Sequence, residues 1–223
     1  MKEFHYFLDN CVNIMFKISG RMGETNSMFD ELVGEKVRIV PMEKHHIQGL
    51  TEIGKDKMIW SHLPKAIYTL NDMKSFVEEA LNKKETGIEF PFVVLRRDND
   101  KIIGTTRFLD ISNLNKSLEI GWTWYTPSVW GTHINTECKY LLLKYCFETL
   151  NLIRVQFKTD ERNVRSQKAI EKIGGVKEGI LRNHMIRKDG TFRNSVFYSV
   201  IEGDWVSVKN NLENILEIPQ KQM

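Results

Sequence analysis

Cysteine is scarce in this sequence: Cys11, Cys138 and Cys146 are scattered along 223 residues. An odd, widely spaced set argues against a disulfide framework and suits a reducing, cytoplasmic setting. No two cysteines stand at zinc-ligand spacing and His45-His46 belongs to no recognisable ligand pattern, so no metal is expected. The two histidines read as exposed residues at a helix start. Long apolar runs are also missing, and nothing approaches the ~20 residues needed to cross a bilayer. Nor is there an excess of one charge: 32 Lys plus Arg face 29 Asp plus Glu, a net +3. Such a balance gives little reason to expect nucleic acid or an anionic membrane as partner. The small basic cluster Arg182, Arg187, Lys188 and Arg193 reads as a solvated hairpin rather than a phosphate track.

What is present suits one folded domain. Hydrophobic residues make up 41% and charged residues 27% of the chain, enough for a single substantial core. Residues 1–30 mix Lys2, Glu3 and Asp9 with Phe4, Tyr6 and Phe7, unlike the continuous apolar centre of a secretory signal. They read as a peripheral appendage, with Met22 or Met28 as alternative starts, and residues 31–223 as the domain proper.

Regular patterning begins near Leu32. Lys36 to Val40 alternates as a half-buried strand closed by Pro41. Helices are expected around 43–57 and 71–84, the second capped by Asn71 or Asp72. Phe92–Leu95 and Ile102–Leu109 form a hairpin about the Arg97–Asp100 turn, and Leu118–Tyr125 adds a third strand. The period then changes. Cys138, Leu141, Leu142, Tyr145 and Thr149 recur at helical spacing, predicting an amphipathic helix over 134–149. A strand over 153–159 follows, then a short helix capped by Asn163 and ended at Gly174. Strands near 176–187 and 192–201 meet at Lys188-Asp189-Gly190, and a helix over 203–216 closes the pattern. The fold class is α/β: a mixed, mostly antiparallel sheet of about seven strands flanked by helices.

Chemistry concentrates between Glu119 and Glu137, where a strand runs through a glycine loop into a helix. Main-chain N–H groups at a helix start lack internal partners and converge on an anion. Many such units bind nothing, so the loop alone is not specific. Several ordered landmarks are: Leu118-Glu119-Ile120-Gly121-Trp122, Trp130-Gly131-Thr132, Asn163-Val164-Arg165-Ser166, Glu171-Lys172-Ile173-Gly174-Gly175, Lys177-Glu178-Gly179-Ile180-Leu181-Arg182 and Phe197-Tyr198-Ser199. From Glu119 through Trp205 the chain resembles the GCN5-related N-acetyltransferase (GNAT) superfamily, in the subgroup of ribosomal-protein N-terminal acetyltransferases. A weaker likeness extends back to Val37.

The resemblance implies acetyl-coenzyme A as co-substrate and no metal. It implies that the pantetheine arm runs beside Trp122-Thr123-Trp124 and that the pyrophosphate rests on amides of Trp130, Gly131, Thr132, His133, Ile134, Asn135 and Thr136. Asn163 would hold the pantetheine or a water, and Ser166 would protonate the departing thiolate, with Tyr198 and Tyr125 as alternatives. Taken without the family, Asn163 and Ser166 read as an ordinary cap and first-turn residue. The family loop usually begins with Gln or Arg and carries Gly or Ala two places after its central glycine. Here Ser128 and His133 stand there, and an imidazole at 133 either crowds the diphosphate or donates to it.

The attacking amine must be neutral. Deprotonating a lysine side chain near pH 7.4 costs about 4 kcal/mol, whereas an α-amine needs well under ~1 kcal/mol. A modest base therefore suffices for an N-terminal α-amine, and Glu119 is the candidate, on one strand face with Gly121 and Thr123. The alternative is that Glu119 only pairs with Arg107. The expected acceptor is a protein N-terminus, with a polyamine, amino acid derivative or aminoglycoside as the second reading. A non-catalytic binding protein of the same fold is the third, and His133 is the feature in its favour. Trp60, His62 and Tyr68 could line an acceptor pocket, and exposed aromatic residues admit a homodimer. If residues 1–30 are peripheral, deleting residues 1–27 is expected to leave the melting temperature and coenzyme binding intact; loss of either refutes the appendage.

Overall fold

The computed structural model describes residues 31–187 and 189–219. The expected appendage, Cys11 and Lys188 lie outside them. Eight strands form one sheet in the order β1-β2-β3-β4-β5-β6-β8-β7. They are β1 (Leu32–Val33), β2 (Val37–Pro41), β3 (Phe90–Arg96), β4 (Ile102–Ser112), β5 (Ser117–Tyr125), β6 (Arg154–Asp160), β7 (Val176–Ile186) and β8 (Phe192–Ile201). The strand beyond the expected seven is the two-residue β1, too short to show a period. The α-helices are α1 (Ile47–Ile53), α2 (Leu70–Glu85), α3 (Ile134–Lys144), α4 (Val164–Lys172) and α5 (Trp205–Ile215).

Every neighbouring pair is antiparallel except β5 and β6. A parallel pair needs a crossover, and α3 supplies it. Both faces of the sheet are covered, as alternation along β3 shows. Phe92 and Val94 join the core packed with α3 and α5, while Val93 and Leu95 join a second core with Trp60, Met73 and Phe76. That second cluster, under α1 and α2, ends at Trp124 on β5.

Several local expectations change. The helix expected over 43–57 breaks into a short 3-10 turn, α1, and a further 3-10 turn at Lys57–Trp60, because the chain stops at Gly54 and restarts on Asp56. His46 is not exposed: it is 8% accessible, and its Nδ1 accepts the Glu43 N–H at 3.0 Å. Thr69 caps α2, accepting the Asp72 N–H at 3.1 Å, while Asp72 reaches back to the Thr69 N–H at 3.0 Å. Asp72 is thus the far half of a capping box rather than the cap itself. The helix over 134–149 holds, but its last turn, Tyr145–Thr149, widens to π spacing. Cys138 and Cys146 are buried packing residues, as their helical positions imply.

Glu137 ties the crossover helix to the far edge of the sheet. Its buried carboxylate accepts the main-chain N–H groups of Glu35 and Lys36, the latter at 3.0 Å, and Gly34 leaves room for it. Charge-assisted bonds of this kind contribute about 1.5–3 kcal/mol. Glu137→Ala is therefore expected to lower the unfolding free energy by about 2–3 kcal/mol in denaturant titration, with β1–β2 amides losing hydrogen-exchange protection first.

Candidate active site

The parallel pair stays together for only three residue pairs, from Ser117–Arg154 to Glu119–Gln156. Beyond Glu119 the strands part, leaving the β5 edge from Ile120 to Tyr125 without a ladder to β6. A cavity of about 500 Å³ fills the fork.

A bulge shapes the open edge. Three steps of β5, from Gly121 to Trp124, stand against two of β4, from Arg107 to Thr105, and Trp122 takes φ of +48°. An extra residue of this kind turns the side chains that follow it. Trp122 packs edge-on to Phe76 of α2, with the Arg107 guanidinium 5.1 Å from its ring. Thr123 goes through to the other face, where its hydroxyl meets Thr106 Oγ1 at 2.8 Å and Lys139 Nζ of α3 at 2.7 Å. The expectation that Glu119, Gly121 and Thr123 share a face is corrected here: Glu119 and Gly121 do, and the bulge removes Thr123.

Glu119 lies at the closed end of the fork and is 2% exposed. It does not pair with Arg107, which is held instead by Glu89 at 2.9 Å. Its carboxylate takes Gln156 Nε2 at 3.0 Å and Lys158 Nζ at 3.1 Å, both from β6. A Cβ at residue 121 would stand 2.9 Å from Glu119 Oε1, so the glycine gives the carboxylate room to fold back over the strand.

At the open end, Pro127–Val129 makes a 3-10 turn, Gly131 takes φ of +75°, and α3 begins. Trp130 is fixed by its indole N–H on Tyr125 O at 2.9 Å and lies under the Arg165 guanidinium, 3.9 Å from the ring. The Thr132 hydroxyl donates to Val129 O at 2.6 Å and accepts the Ile134 N–H at 3.3 Å. The first full helical bond runs from the Glu137 N–H to His133 O, so the Asn135 and Thr136 amides precede the ladder. Gly131, Thr132, Asn135 and Thr136 line the cavity; His133 and Ile134 do not. His133 is exposed, and Ile134 is 7% exposed in the core. The imidazole of His133 therefore leaves the cavity open. An added Cβ at Gly131 would meet nothing within 4 Å, so the loop has room for a bulky anion.

Across the fork, Asn163 caps α4 as expected, its Oδ1 accepting the Ser166 N–H at 3.0 Å, and both residues line the cavity. The alternatives to Ser166 are less suited to proton donation. Tyr198 is fully buried with its hydroxyl on Glu171 at 3.0 Å, and burial with that carboxylate pushes its pKa up to about 12. Burial raises Tyr125 well above its usual range. On the acceptor side, His62 lines the cavity with Met58 and Leu63. Trp60 is core, its N–H on Gly54 O at 2.8 Å, and Tyr68 is 49% exposed and not among the cavity's lining residues.

Several lining residues were not read as site residues from the sequence, among them Lys158, Arg165, Lys172, Arg193 and Lys139. Arg193, assigned there to a solvated hairpin, is 8% exposed and lines the cavity. Lys139 is 5% exposed, with Nζ between Thr123 of β5 and the Phe157 ring of β6, 5.8 Å away. The detectable signal was its spacing, since Thr136, Lys139, Leu143 and Cys146 follow a helical stripe that is otherwise apolar or small. No carboxylate pairs with Lys139 among the described residues, and burial lowers its pKa from 10.5 to about 8.

Residues 36–176 match the family described as Acetyltransferase (GNAT) domain. The chain is 28% identical over 158 residues to the uncharacterised N-acetyltransferase YnaD of Bacillus subtilis (strain 168), covering 71% of this chain and 89% of that protein. It is 29% identical over 108 residues to B. subtilis YdaF, named as a candidate ribosomal N-acetyltransferase, covering 48% of this chain and 58% of YdaF. Among solved structures, a candidate acetyltransferase from T. thermophilus superposes with a TM-score of 0.76 at 33% identity, over 84% of this chain and 97% of that one.

A lysine with a depressed folded pKa binds fewer protons folded than unfolded between pH 8 and 10.5, so stability should rise with pH across that window. Below it the penalty is complete, on the order of 3 kcal/mol. Lys139→Met is expected to flatten the rise and to raise stability at pH 7 by about 1–3 kcal/mol. Denaturant titrations of both proteins from pH 7 to 10.5 check the sign.

Proposed function

This chain belongs to the GNAT acetyltransferase family, and from that premise we propose that it moves acetyl from acetyl-coenzyme A to a primary α-amine by direct attack, both substrates meeting in the fork. The observation that carries the reading is the unpaired β5 edge opening onto unpartnered helix-start amides. An extended amide-bearing arm bonds to such an edge as an added strand would, and a diphosphate suits the N–H groups of Gly131, Asn135 and Thr136. Those of Trp130, Thr132 and Ile134, also expected there, are taken by Pro127 O, Val129 O and the Thr132 hydroxyl. Arg165, clamped on Trp130, adds a cation at the same loop.

Glu119 is the one carboxylate among the described lining residues, and it takes the proton that the amine sheds as the C–N bond forms. Main-chain N–H groups at the bulge face the carbonyl oxygen as it gathers charge. Ser166, half-buried on the opposite wall, is the proton donor to sulfur. A thiol leaves readily as thiolate, so this donor contributes less than positioning does. Neither cysteine among the described residues has a part, because burial pushes Cys138 up to about 12 and Cys146 well above its usual range. The ribosomal name of YdaF and the low cost of deprotonating an α-amine support a protein N-terminus as acceptor; a small amine is the second reading. With His133 outside the cavity, the non-catalytic reading loses the feature on which it stood.

Two measurements test this. Acetyl-coenzyme A at one hundred times its dissociation constant should stabilise the fold by about 2.7 kcal/mol, and no shift at millimolar coenzyme refutes the binding site. Glu119→Gln should lower turnover at least about tenfold at pH 7, while Ser166→Ala should weaken it without abolishing it; an unchanged Glu119→Gln rate across pH 6–9 removes Glu119 as base.

A further inference from the structure

The charge lining the cavity is one-sided. Glu119 stands among Lys139, Lys158, Arg165, Lys172 and Arg193. Most of these cations are accounted for. Lys158 pairs with Glu119 at 3.1 Å, and Lys139 is held by Thr123 on the α3 face of the sheet. Arg165 and Lys172 both belong to α4, and Arg165 stacks on Trp130 beside the glycine loop, where a diphosphate would lie.

Arg193 has no such account. It stands on β8 opposite Met185 of β7, at the hairpin end of the cavity, and not on α3 or α4. Its Nε is buried with no hydrogen-bond partner among the described residues. The carboxylate near it, Asp160, is 4.0 Å away and already accepts two bonds from Arg187, at 3.0 and 2.9 Å. A guanidinium keeps its charge and offers five donors, and leaving the buried Nε–H of one without an acceptor is unfavourable. The strand period sets which way Arg193 faces. Ser195 and Phe197 follow it at even spacing; Phe197 lies under the Lys158 ammonium, 5.8 Å from its ring, and His184 bonds Ser195 Oγ at 3.0 Å. Lys158 and Gln156 reach Glu119 from that face. Arg193 and the carboxylate of Glu119 therefore border the fork from the same side of the sheet, opposite α3.

We infer that the acceptor carries an anionic group, a carboxylate in the first instance, within a few bonds of its reactive amine, and that Arg193 binds this group while the amine points toward Glu119. The inference rests on the acetyl-transfer reading and narrows its acceptor. A free amino acid supplies the anion as its own α-carboxylate, and a peptide supplies it as an acidic side chain at its N-terminus. A linear polyamine or an aminoglycoside would instead bring like charge against Arg193 and Lys158, which disfavours both.

The test is thiol release from acetyl-coenzyme A with a charge-graded panel: dipeptide amides beginning with glutamate, glutamine or lysine, the free amino acids themselves, and a linear polyamine. The glutamyl and glutaminyl amides differ in charge while their α-amines are close in basicity. If the bound group is an acidic side chain, the wild type should prefer the glutamyl over the glutaminyl amide at least about tenfold in kcat/KM. If it is the α-carboxylate, the free amino acids should exceed all three amides by as much; in either case the lysyl amide and the polyamine rank lowest. Greater rates on free amino acids identify the α-carboxylate as the bound group; greater rates on the acidic amide identify the side chain. Arg193→Met should raise KM for the carboxylate-bearing acceptor at least about tenfold and erase the preference, leaving KM for acetyl-coenzyme A unchanged, and Arg193→Lys should restore part of it. A wild type that prefers neutral or basic amines, or turns over no carboxylate-bearing amine, overturns the inference without help from any variant. So does an Arg193→Met enzyme that loses rate equally on every acceptor. If acetyl-coenzyme A does not stabilise the wild type, the acetyl-transfer reading fails as well; if it does and acceptor choice is blind to charge, this inference alone fails.

Discussion

The architecture turns on a parallel strand pair that ceases to pair after Glu119. Had β5 and β6 stayed in register to their ends, the main-chain groups of Ile120 to Tyr125 would be satisfied and the sheet would be closed. Their separation leaves an edge in the middle of a sheet, where other proteins keep edges at the rim. The surrounding features follow from it. The bulge at Trp122 bends the strand away from its neighbour, α3 starts where the open edge ends, and Glu119 is the last residue before the strands part.

A gap of this kind must be braced from both faces, and the bracing is chemically different on each. On the α2 face, Trp122 and Phe76 pack as rings against the Arg107–Glu89 pair, and Trp124 packs against Trp60. On the α3 face, Lys139 bridges from Thr123 of β5 toward Phe157 of β6 with no anion pairing it among the described residues. A buried ammonium held by one hydroxyl is a costly way to fill space, which explains its depressed pKa and marks a place where stability has given way to something else. Glu137, two residues earlier in sequence and on another side of the helix, does the opposite: its charge is fully used, joining α3 to the β1–β2 turn.

Charge in the fork is arranged by element. The loop and α4 present cations and free amides where a phosphate-bearing arm would enter; β6 neutralises Glu119; β8 contributes Arg193. On the proposed reading, this division would let one cavity treat two substrates differently, the first through main-chain donors that read no sequence, the second through side chains whose charge discriminates.

Much of this was legible in one dimension. Strand alternation and helical spacing depend on residues a few positions apart, so the alternating strands, the crossover helix and the Asn163 cap could be read directly, as could the strand–glycine loop–helix order of the proposed anion site. What depends on partners distant in the chain could not. The bulge that sends Thr123 and Glu119 to opposite faces arises from a count mismatch between β4 and β5, invisible within either strand. The pairing of Glu119 with Lys158, the burial of His46, and the change of Arg193 from hairpin cation to cavity wall were decided by which strands lie side by side. Local propensity and spacing thus set the elements and the chemistry they could carry, and tertiary packing decided which charges were left unpaired, because desolvation and pairing are properties of three-dimensional neighbours.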